Sequence, residues 1–283
     1  MPPTRGERLL RRADLIANNL FKPTPGRAAD LIALISAGAL IGLFALFHAR
    51  ELLHSGSRLV TAVVITLAFA IVGRLAHGVS TSGAAAGAMI AFLMAVRGLR
   101  MFWILLVVFA VTLAATRLRG PRKKQLRVAE SQNGRSASQV MANLGIAGLI
   151  MAIPAFGFWR ILALAALAEA AADTASSEIG TAFQGNTVLI TSGKSVTPGV
   201  DGGISLNGTL AAMLAAAIIA ACGMAFGLTS GAEAATVACA GTLGMVVDSV
   251  LGATLERRGY LNNDLVNLFG TSSAVLIAWL LMR

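Results

Sequence analysis

The sequence contains little charge and few cysteines. Only 13% of its 283 residues are Asp, Glu, Lys or Arg, whereas a soluble globular domain carries about 25%. Together with a hydrophobic content of 56%, this shortage excludes an ordinary soluble domain of this length. The two cysteines, Cys222 and Cys239, lie in apolar stretches and form no CxxC motif. We therefore interpret them as small packing residues rather than as part of a disulfide framework.

Several patterns that would indicate a known chemistry are also absent. The chain lacks the alternating pattern of a membrane β-barrel and the GxxxxGK[ST] phosphate-binding motif. Its three histidines are scattered without metal-ligand spacing, and no Ser/His/Asp set is evident. Because backbone groups in lipid must be hydrogen-bonded within helices or closed barrels, the long apolar segments predict an all-α polytopic membrane protein.

About nine apolar segments approach the roughly 20 residues that a membrane span requires. They are 31–47, 59–76, 83–96, 101–116, 140–158, 161–172, 204–228, 232–255 and 265–281. The sixth is short, carries Glu169 and follows Pro154, so we expect a broken or shallow helix that lines a site. We expect one integral membrane domain over residues 30–283. Residues 1–29, where apolar positions recur at helical spacing among arginines, are predicted to be a basic amphipathic segment in the membrane interface.

The distribution of basic residues predicts the orientation. With nine spans and a cytoplasmic N-terminus, 17 of the 23 Lys and Arg residues fall on the cytoplasmic side and 6 on the other, as the positive-inside rule requires. The net charge of +10 then reflects topology and anionic lipid rather than nucleic acid. We expect the chain in a prokaryotic plasma membrane, with the polar sequences at the cytoplasmic ends of the spans.

Two polar stripes run from these ends into the membrane. Arg135, Gln139 and Asn143 are spaced at i, i+4 and i+8, which places them on one helix face. Asn263, Asn267 and Thr271 repeat this spacing. We expect Asn263, Asn267 and the neighbouring Asp264 to line a substrate site. Hydrogen bonding between helices is the alternative interpretation of such stripes.

Acidic residues at membrane depth form a second group. Asp173 shares a helix face with Glu169, and Asp248 shares one with Gly244 and Gly252, where another backbone or a ligand can approach closely. Inserting a carboxylate costs at least ~2.5–3.5 kcal/mol, so such residues are usually functional. Two carboxylates from different helices suit Mg²⁺, which fills its other positions with water and phosphate oxygens. The alternative is that both carboxylates extend to the interface.

The loop SGKSVTPGVDGGIS (192–205) lies beside these acids in the sequence. Its glycines permit positive φ, so that successive N–H groups can point at an anion. Lys194 adds a positive charge, and the helix that follows Ser205 has an N-terminus that favours phosphate. A flexible turn between helices is the commoner meaning of such a glycine cluster.

The motifs together resemble a known family. ADTASSEIG (172–180) and TPGVDGGISLNGT (197–209) are preceded by GRSASQVMAN (134–143) and followed by DSVLGATLE (248–256) and NNDLVN (262–267). This ordered set resembles the integral membrane family called domain of unknown function 92, or transmembrane protein 19-like, over about residues 60–283. The family includes the plant phytyl-phosphate kinase of the tocopherol pathway. More loosely, the motifs look like those of the CTP-using superfamily of phosphatidate cytidylyltransferase, dolichol kinase and phytol kinase.

The resemblance implies a phosphotransferase that moves a phosphoryl group from a nucleoside triphosphate, such as CTP, to an isoprenyl monophosphate. Such chemistry needs mainly positioning and charge neutralisation. Asp173 and Asp248 are assigned to the metal, with Asp201 and Glu178 as second choices. The residues expected to cradle phosphate are Lys194, Gly199, Gly202, Gly203 and Ser205. The residues expected to bind the nucleotide or the acceptor phosphate are Arg135, Gln139 and Asn143. Glu178 and Asp201 are alternatively expected to orient Lys194. The attacking phosphate is already anionic, so no dedicated general base is required.

Two other function classes stay open at the level of sequence. A cytidylyltransferase that forms a CDP-lipid would also bind nucleoside triphosphate and Mg²⁺ beside a lipid phosphate. A transporter of lipid phosphates or small ions is the other alternative. Transporters place ionisable groups near the midplane, often in two repeated halves, whereas the polar residues here gather at one face and no convincing duplicate surrounds the two Asp-[Ser/Thr] helix ends.

Overall fold

The computed structural model describes residues 25–53, 56–118, 134–153, 157–183 and 185–283. Within these ranges the chain forms nine α-helices, a short π-helix and a small β-sheet. The α-helices are α1 (Pro25–Leu53), α2 (Gly56–Leu75), α3 (Thr81–Arg97), α4 (Leu99–Arg117), α5 (Ala137–Ala152), α6 (Trp159–Ala182), α7 (Leu206–Ala225), α8 (Gly231–Leu251) and α9 (Asn263–Leu281). The π-helix, Gly252–Glu256, directly continues α8.

The all-α membrane fold predicted from the sequence is confirmed. Each of the nine apolar segments corresponds to one helix, and six helices are long and apolar enough to cross a membrane. Of the other three, α3 and α5 are shorter apolar helices. The third, α6, is long but carries Arg160, Glu169, Asp173 and Glu178. The count of nine spans therefore stays a prediction.

Two details of the expected architecture differ from the structure. The prediction that the sixth helix is broken or shallow was wrong, because α6 is continuous through the whole ADTASSEIG motif. The fifth helix ends at Ala152 rather than at residue 158. The predicted boundary between residues 29 and 30 lies within α1, which begins at Pro25, and the division into an interfacial segment and a membrane domain stays a prediction. The rest of the interfacial segment, the basic stretch 119–133 and Pro154 lie outside the described residues.

Serine side chains define the start of several helices. Ser136 caps α5 in a reciprocal capping box with Gln139, and Ser230 does the same for α8 with Glu233. Ser80 and Ser205 accept hydrogen bonds from the third residue beyond them at the starts of α3 and α7. These caps satisfy N–H groups that have no partner within a helix. The helix starts that border the candidate site are thereby fixed by local sequence.

The centre of the bundle is α6. It packs against α4, α5, α7, α8 and α9, and nearly every residue from Ile161 to Ala175 is buried. Most of these residues are alanines, and small side chains allow neighbouring backbones to approach closely in a membrane bundle. At Gly241 of α8, for example, an added Cβ would lie 2.7 Å from the Ala168 Cβ. The acidic residues of α6 are therefore surrounded by other helices.

A three-stranded antiparallel sheet joins α6 to α7, which the all-α prediction did not include. Its strands are β1 (Thr187–Leu189), β2 (Ser195–Val196) and β3 (Gly203–Ile204), in the order β2-β1-β3. Val188 pairs with Ser195 on one side and with Ile204 on the other. The predicted loop is thus held at both ends by backbone hydrogen bonds.

Candidate functional site

A polar cavity of about 330 Å³ lies at one end of the bundle. Its walls come from the start of α5, the second half of α6, the segment 198–205, the end of α8 with its π-helix, and the start of α9. All but two of the residues selected from the sequence line this cavity, namely Arg135, Gln139, Asn143, Asp173, Glu178, Gly199, Asp201, Gly202, Gly203, Ser205, Asp248, Asn263 and Asn267. Five motifs that are distant in sequence therefore meet at one place.

Lys194 and Asp264 are the two selected residues that do not line the cavity. Lys194 is exposed just before β2, in the turn that links β1 to β2. Asp264 lies in the first turn of α9, next to the cavity-lining Asn263. The structure therefore brings together the acidic, amide and glycine residues that were expected to act jointly, but leaves the predicted lysine and this aspartate outside the cavity wall.

Asp173 of α6 and Asp248 of α8 form the acidic centre of the cavity. Their carboxyl groups lie close enough to interact directly with each other. Asp248 is only 8% exposed, and among the described residues its Oδ2 atom has no hydrogen-bond partner. Two carboxyl groups in contact repel each other when both are ionised, so a shared proton or a cation must neutralise part of their charge. This pair is the strongest candidate for cation binding in the described part of the chain.

Glu169 lies one helical turn deeper than Asp173 on α6. It is 1% exposed, and its Oε1 atom likewise has no hydrogen-bond partner within the described ranges. Its space is provided by glycines. A Cβ at Gly270 of α9 would overlap Glu169 Oε1 and lie 3.1 Å from Asp248 Oδ2, and a Cβ at Gly244 of α8 would lie 2.8 Å from Glu169 Cγ. The expectation that Gly244 permits a close approach to the Asp248 face is therefore correct.

Arg135 introduces positive charge at the cavity wall. Its guanidinium donates a hydrogen bond to Thr174 Oγ1 at 3.1 Å and attracts the Asp173 carboxyl electrostatically. Its backbone N–H donates to Gly78 O at 3.1 Å, and its carbonyl oxygen accepts from Ser80 N at 2.9 Å. These bonds fix the start of α5 against the turn between α2 and α3. The guanidinium is therefore presented beside the acidic pair from a well-fixed backbone.

The two amides of the predicted stripe take part in local hydrogen bonds. Gln139 Oε1 accepts from Ser136 N at 2.9 Å as part of the capping box, and Asn143 Nδ2 donates to Gln139 O at 2.9 Å. Neither amide bonds to another helix in these contacts, so the interhelical alternative gains no support from them. Both side chains border the cavity.

The glycine-rich segment approaches the cavity from the side of the sheet. Gly199 and Gly202 have φ values of +88° and +71°, the left-handed conformation that their predicted role requires. A Cβ at Gly202 would overlap Ala253 of the π-helix, so this segment lies directly against the end of α8. The Gly203 N–H, in contrast, donates to Val200 O at 2.8 Å within the loop.

Several cavity residues were not selected from the sequence. Glu256 at the end of the π-helix lines the cavity and lies within electrostatic range of Asp201 and Asp173. The hydroxyl groups that also line it are those of Thr174, Ser176, Ser177, Thr181, Thr187 and Ser249. Most of these residues belong to the ADTASSEIG and DSVLGATLE motifs, so they could have been selected from the sequence. For Glu169 the indication was weaker, namely its position one helical turn from Asp173.

The acidic pair can be compared with the needs of Mg²⁺. Among the described residues, no group of three or more His, Cys, Asp and Glu side chains could hold a metal ion. Mg²⁺, however, needs only one or two protein carboxylates when substrate phosphates and water complete its coordination. The contact between Asp173 and Asp248 and the unbonded Asp248 Oδ2 fit this smaller requirement. The residues therefore suit a cation that binds together with a phosphate ligand.

The apolar helices around a polar cavity at one end of the bundle define a helical integral membrane protein. Residues 64–275 match the family described as Integral membrane protein DUF92. The chain belongs to this family, as its motifs predicted.

Relatives of the chain occur in plants, archaea and cyanobacteria. Protein VTE6, chloroplastic, of Arabidopsis thaliana is 30% identical over 222 residues, which cover 74% of this chain and 67% of that protein. An uncharacterized membrane protein of Methanocaldococcus jannaschii is 32% identical over 221 residues, covering 76% of this chain and 90% of that protein. One of Synechocystis sp. is 32% identical over 189 residues, covering 64% and 73%. No solved structure matches the chain significantly.

Proposed function

We propose that this protein is a membrane-embedded isoprenyl-phosphate kinase, which transfers the γ-phosphoryl group of a nucleoside triphosphate such as CTP to a lipid monophosphate. The observation that carries the proposal is the convergence of an acidic pair, an arginine and a glycine-rich segment on one polar cavity at the end of a membrane bundle. The resemblance of the motifs to a family that includes a plant phytyl-phosphate kinase supports the same reaction.

Each part of the cavity has a role in this reaction. Arg135 binds the phosphate of the acceptor, because a guanidinium forms strong, directed hydrogen bonds to phosphate oxygens. Gly199 and Gly202 allow the loop backbone to approach the nucleotide phosphates closely. Asp173 and Asp248 would hold Mg²⁺, which when bound neutralises charge on the phosphates. An oxygen of the lipid phosphate attacks the γ-phosphorus, and the nucleoside diphosphate leaves.

The membrane setting supports this choice of substrates. A nucleotide is charged and must enter from water, whereas a prenyl phosphate must enter from the bilayer. The cavity lies at helix ends and is bordered by polar side chains, so it is placed to receive both. The bias of 17 to 6 in Lys and Arg residues supports a cytoplasmic orientation of this end in a prokaryotic plasma membrane.

The reaction is tested with purified protein, Mg²⁺ and CTP or ATP that carries radiolabel in the α- or the γ-phosphate. The acceptors are prenyl monophosphates of increasing chain length. Transfer of γ-label into lipid is the expected result, and it should disappear in the Asp173→Asn variant. Appearance of α-label in lipid would instead identify a cytidylyl- or adenylyltransferase. Binding of a prenyl phosphate without transfer of either label would refute the kinase and favour transport.

A further inference from the structure

A second cavity, of about 340 Å³, adjoins the polar one and is mainly apolar. It lies between α2, α3, α4 and α5, and its deep part is formed by aromatic, aliphatic and small side chains such as those of Phe69, Leu105 and Phe109. At its shallow end lie His77 and Arg117, close to the turn between α2 and α3. The cavity therefore extends from the polar end of the bundle toward the depth of the apolar helices.

The two cavities share a wall. Arg135 and Asn143 line both of them. On α6, Ala170 lines the apolar cavity, whereas Thr174, one turn further, lines the polar one. The Arg135 guanidinium is fixed at this boundary by its hydrogen bond to Thr174 Oγ1. A ligand with an anionic head and an apolar tail would find a positive charge and an apolar space next to each other here.

We infer that the apolar cavity binds the hydrocarbon chain of the prenyl phosphate acceptor, with its phosphate at Arg135 facing the acidic pair. This inference rests on the proposed kinase function, because that function supplies the acceptor. The charge of Arg135 selects an anionic head, and the mainly apolar walls favour a hydrocarbon tail. The nucleotide remains in the polar cavity, on the far side of Arg135 and Asn143.

The dimensions of the cavity suit a chain longer than a single isoprene unit. Its wall on α4 extends from Leu105 to Arg117, roughly 18 Å at the rise of an α-helix. Small residues keep the space open. A Cβ added at Gly87 of α3 would meet no atom within 4 Å, whereas one at Gly78 would lie 2.9 Å from the Phe109 ring. Gly87 is therefore a position where a larger side chain would enter the cavity itself.

The test compares the full-length protein with variants that fill this space. Gly87→Leu and Ala84→Leu place a leucine on the cavity wall, and Ala85→Leu on the exposed face of the same helix is the matched control. Equilibrium binding of radiolabelled geranylgeranyl monophosphate and dimethylallyl monophosphate is measured in lipid nanodiscs without nucleotide. The wild type and Ala85→Leu should prefer the long chain. Each cavity variant should reduce this preference roughly tenfold, because a few buried methylenes are displaced.

The inference is overturned if both cavity variants unfold at the wild-type temperature and keep the full chain-length preference. A second measurement does not depend on these variants. A prenyl phosphate with a photoreactive diazirine at the end of its chain should label the segments around Phe69 and Leu105, and labelling elsewhere in the chain would overturn the inference. Neither measurement needs catalysis. If the hydrocarbon chain binds in this cavity but no γ-label is transferred, the proposed kinase function is refuted and the inference about the cavity is not.

Discussion

Replacing either carboxylate of the acidic pair with its amide tests the centre of the proposed site. Asp173→Asn and Asp248→Asn keep the size and polarity of the side chain but remove the charge that would hold a cation. A single buried group that stabilises transition-state charge contributes about 10²–10³ in turnover. We expect each variant to lose that much phosphoryl transfer while the protein still inserts and purifies normally.

The contact between the two carboxyl groups makes a sharper prediction for the double variant. If Asp173 and Asp248 acted independently, their losses would multiply to about 10⁴–10⁶. Because their carboxyl groups lie close enough to interact directly, we expect them to act on one cation as a unit. The double variant should then lose little more than either single variant, again about 10²–10³.

The assay for this cycle is the initial rate of γ-label transfer to geranylgeranyl monophosphate at saturating nucleotide, with Mg²⁺ varied. Asp264→Asn provides a matched control, because this aspartate lies in the first turn of α9 but does not line the cavity, and it should retain wild-type transfer. Normal turnover in both single variants would refute the role of the pair in catalysis. Fully multiplicative losses in the double variant would refute the shared cation.

Three further predictions follow from the positions of single residues. Cysteines introduced at Gln125 and at Asn186 in a cysteine-free background should react with an impermeant thiol reagent from the same side of the membrane, and reaction from opposite sides would contradict the nine-span topology. Lys194→Ala should raise the KM for nucleotide at low salt but much less at high salt, because salt screens the attraction between an exposed ammonium and the nucleotide. An equally large increase in KM at high salt would instead indicate direct contact. Gly193→Ala should lower the free energy of unfolding by about 1–2 kcal/mol, because Gly193 has a φ of +65°. Gly202→Ala should lower it further, because the added Cβ would also overlap the π-helix. Equal decreases in the melting temperature of the two variants would refute that packing.

The positions of the helices could be predicted because their signals are local. Apolar runs fixed the nine segments, and the Ser136–Gln139 capping box has the sequence pattern of a helix start. The predicted break in α6 was wrong because a short apolar run that carries Glu169 and follows Pro154 was interpreted as a broken or shallow helix. The surrounding helices bury this segment, so charge at Glu169 and Asp173 did not have to end it. The sheet could not be predicted, since strands of two or three residues give no measurable alternation.

The residues of the candidate site could be predicted from the sequence, but their detailed arrangement could not. Topology places the ends of alternate spans on one face, so Arg135, Asp173 and Asp248 were expected near one another. The contact of Glu169 with Gly270 depends on the rotation of α9 against α6, and no local pattern encodes that rotation. The exposed position of Lys194 depends in the same way on the conformation of its turn.

The glycines behind the acidic pair have a consequence for mutational scanning. Gly244 and Gly270 leave room for Glu169, and Gly202 lets its loop lie against the π-helix. A complete scan of single substitutions would therefore mark these glycines as intolerant as the aspartates, although they contribute no chemical group. The two kinds of position separate when protein abundance and turnover are scored independently, because aspartate variants should accumulate normally and glycine variants should not. Redesign for a different acceptor should accordingly leave this glycine-dependent contact unchanged and vary the wall around Gly87.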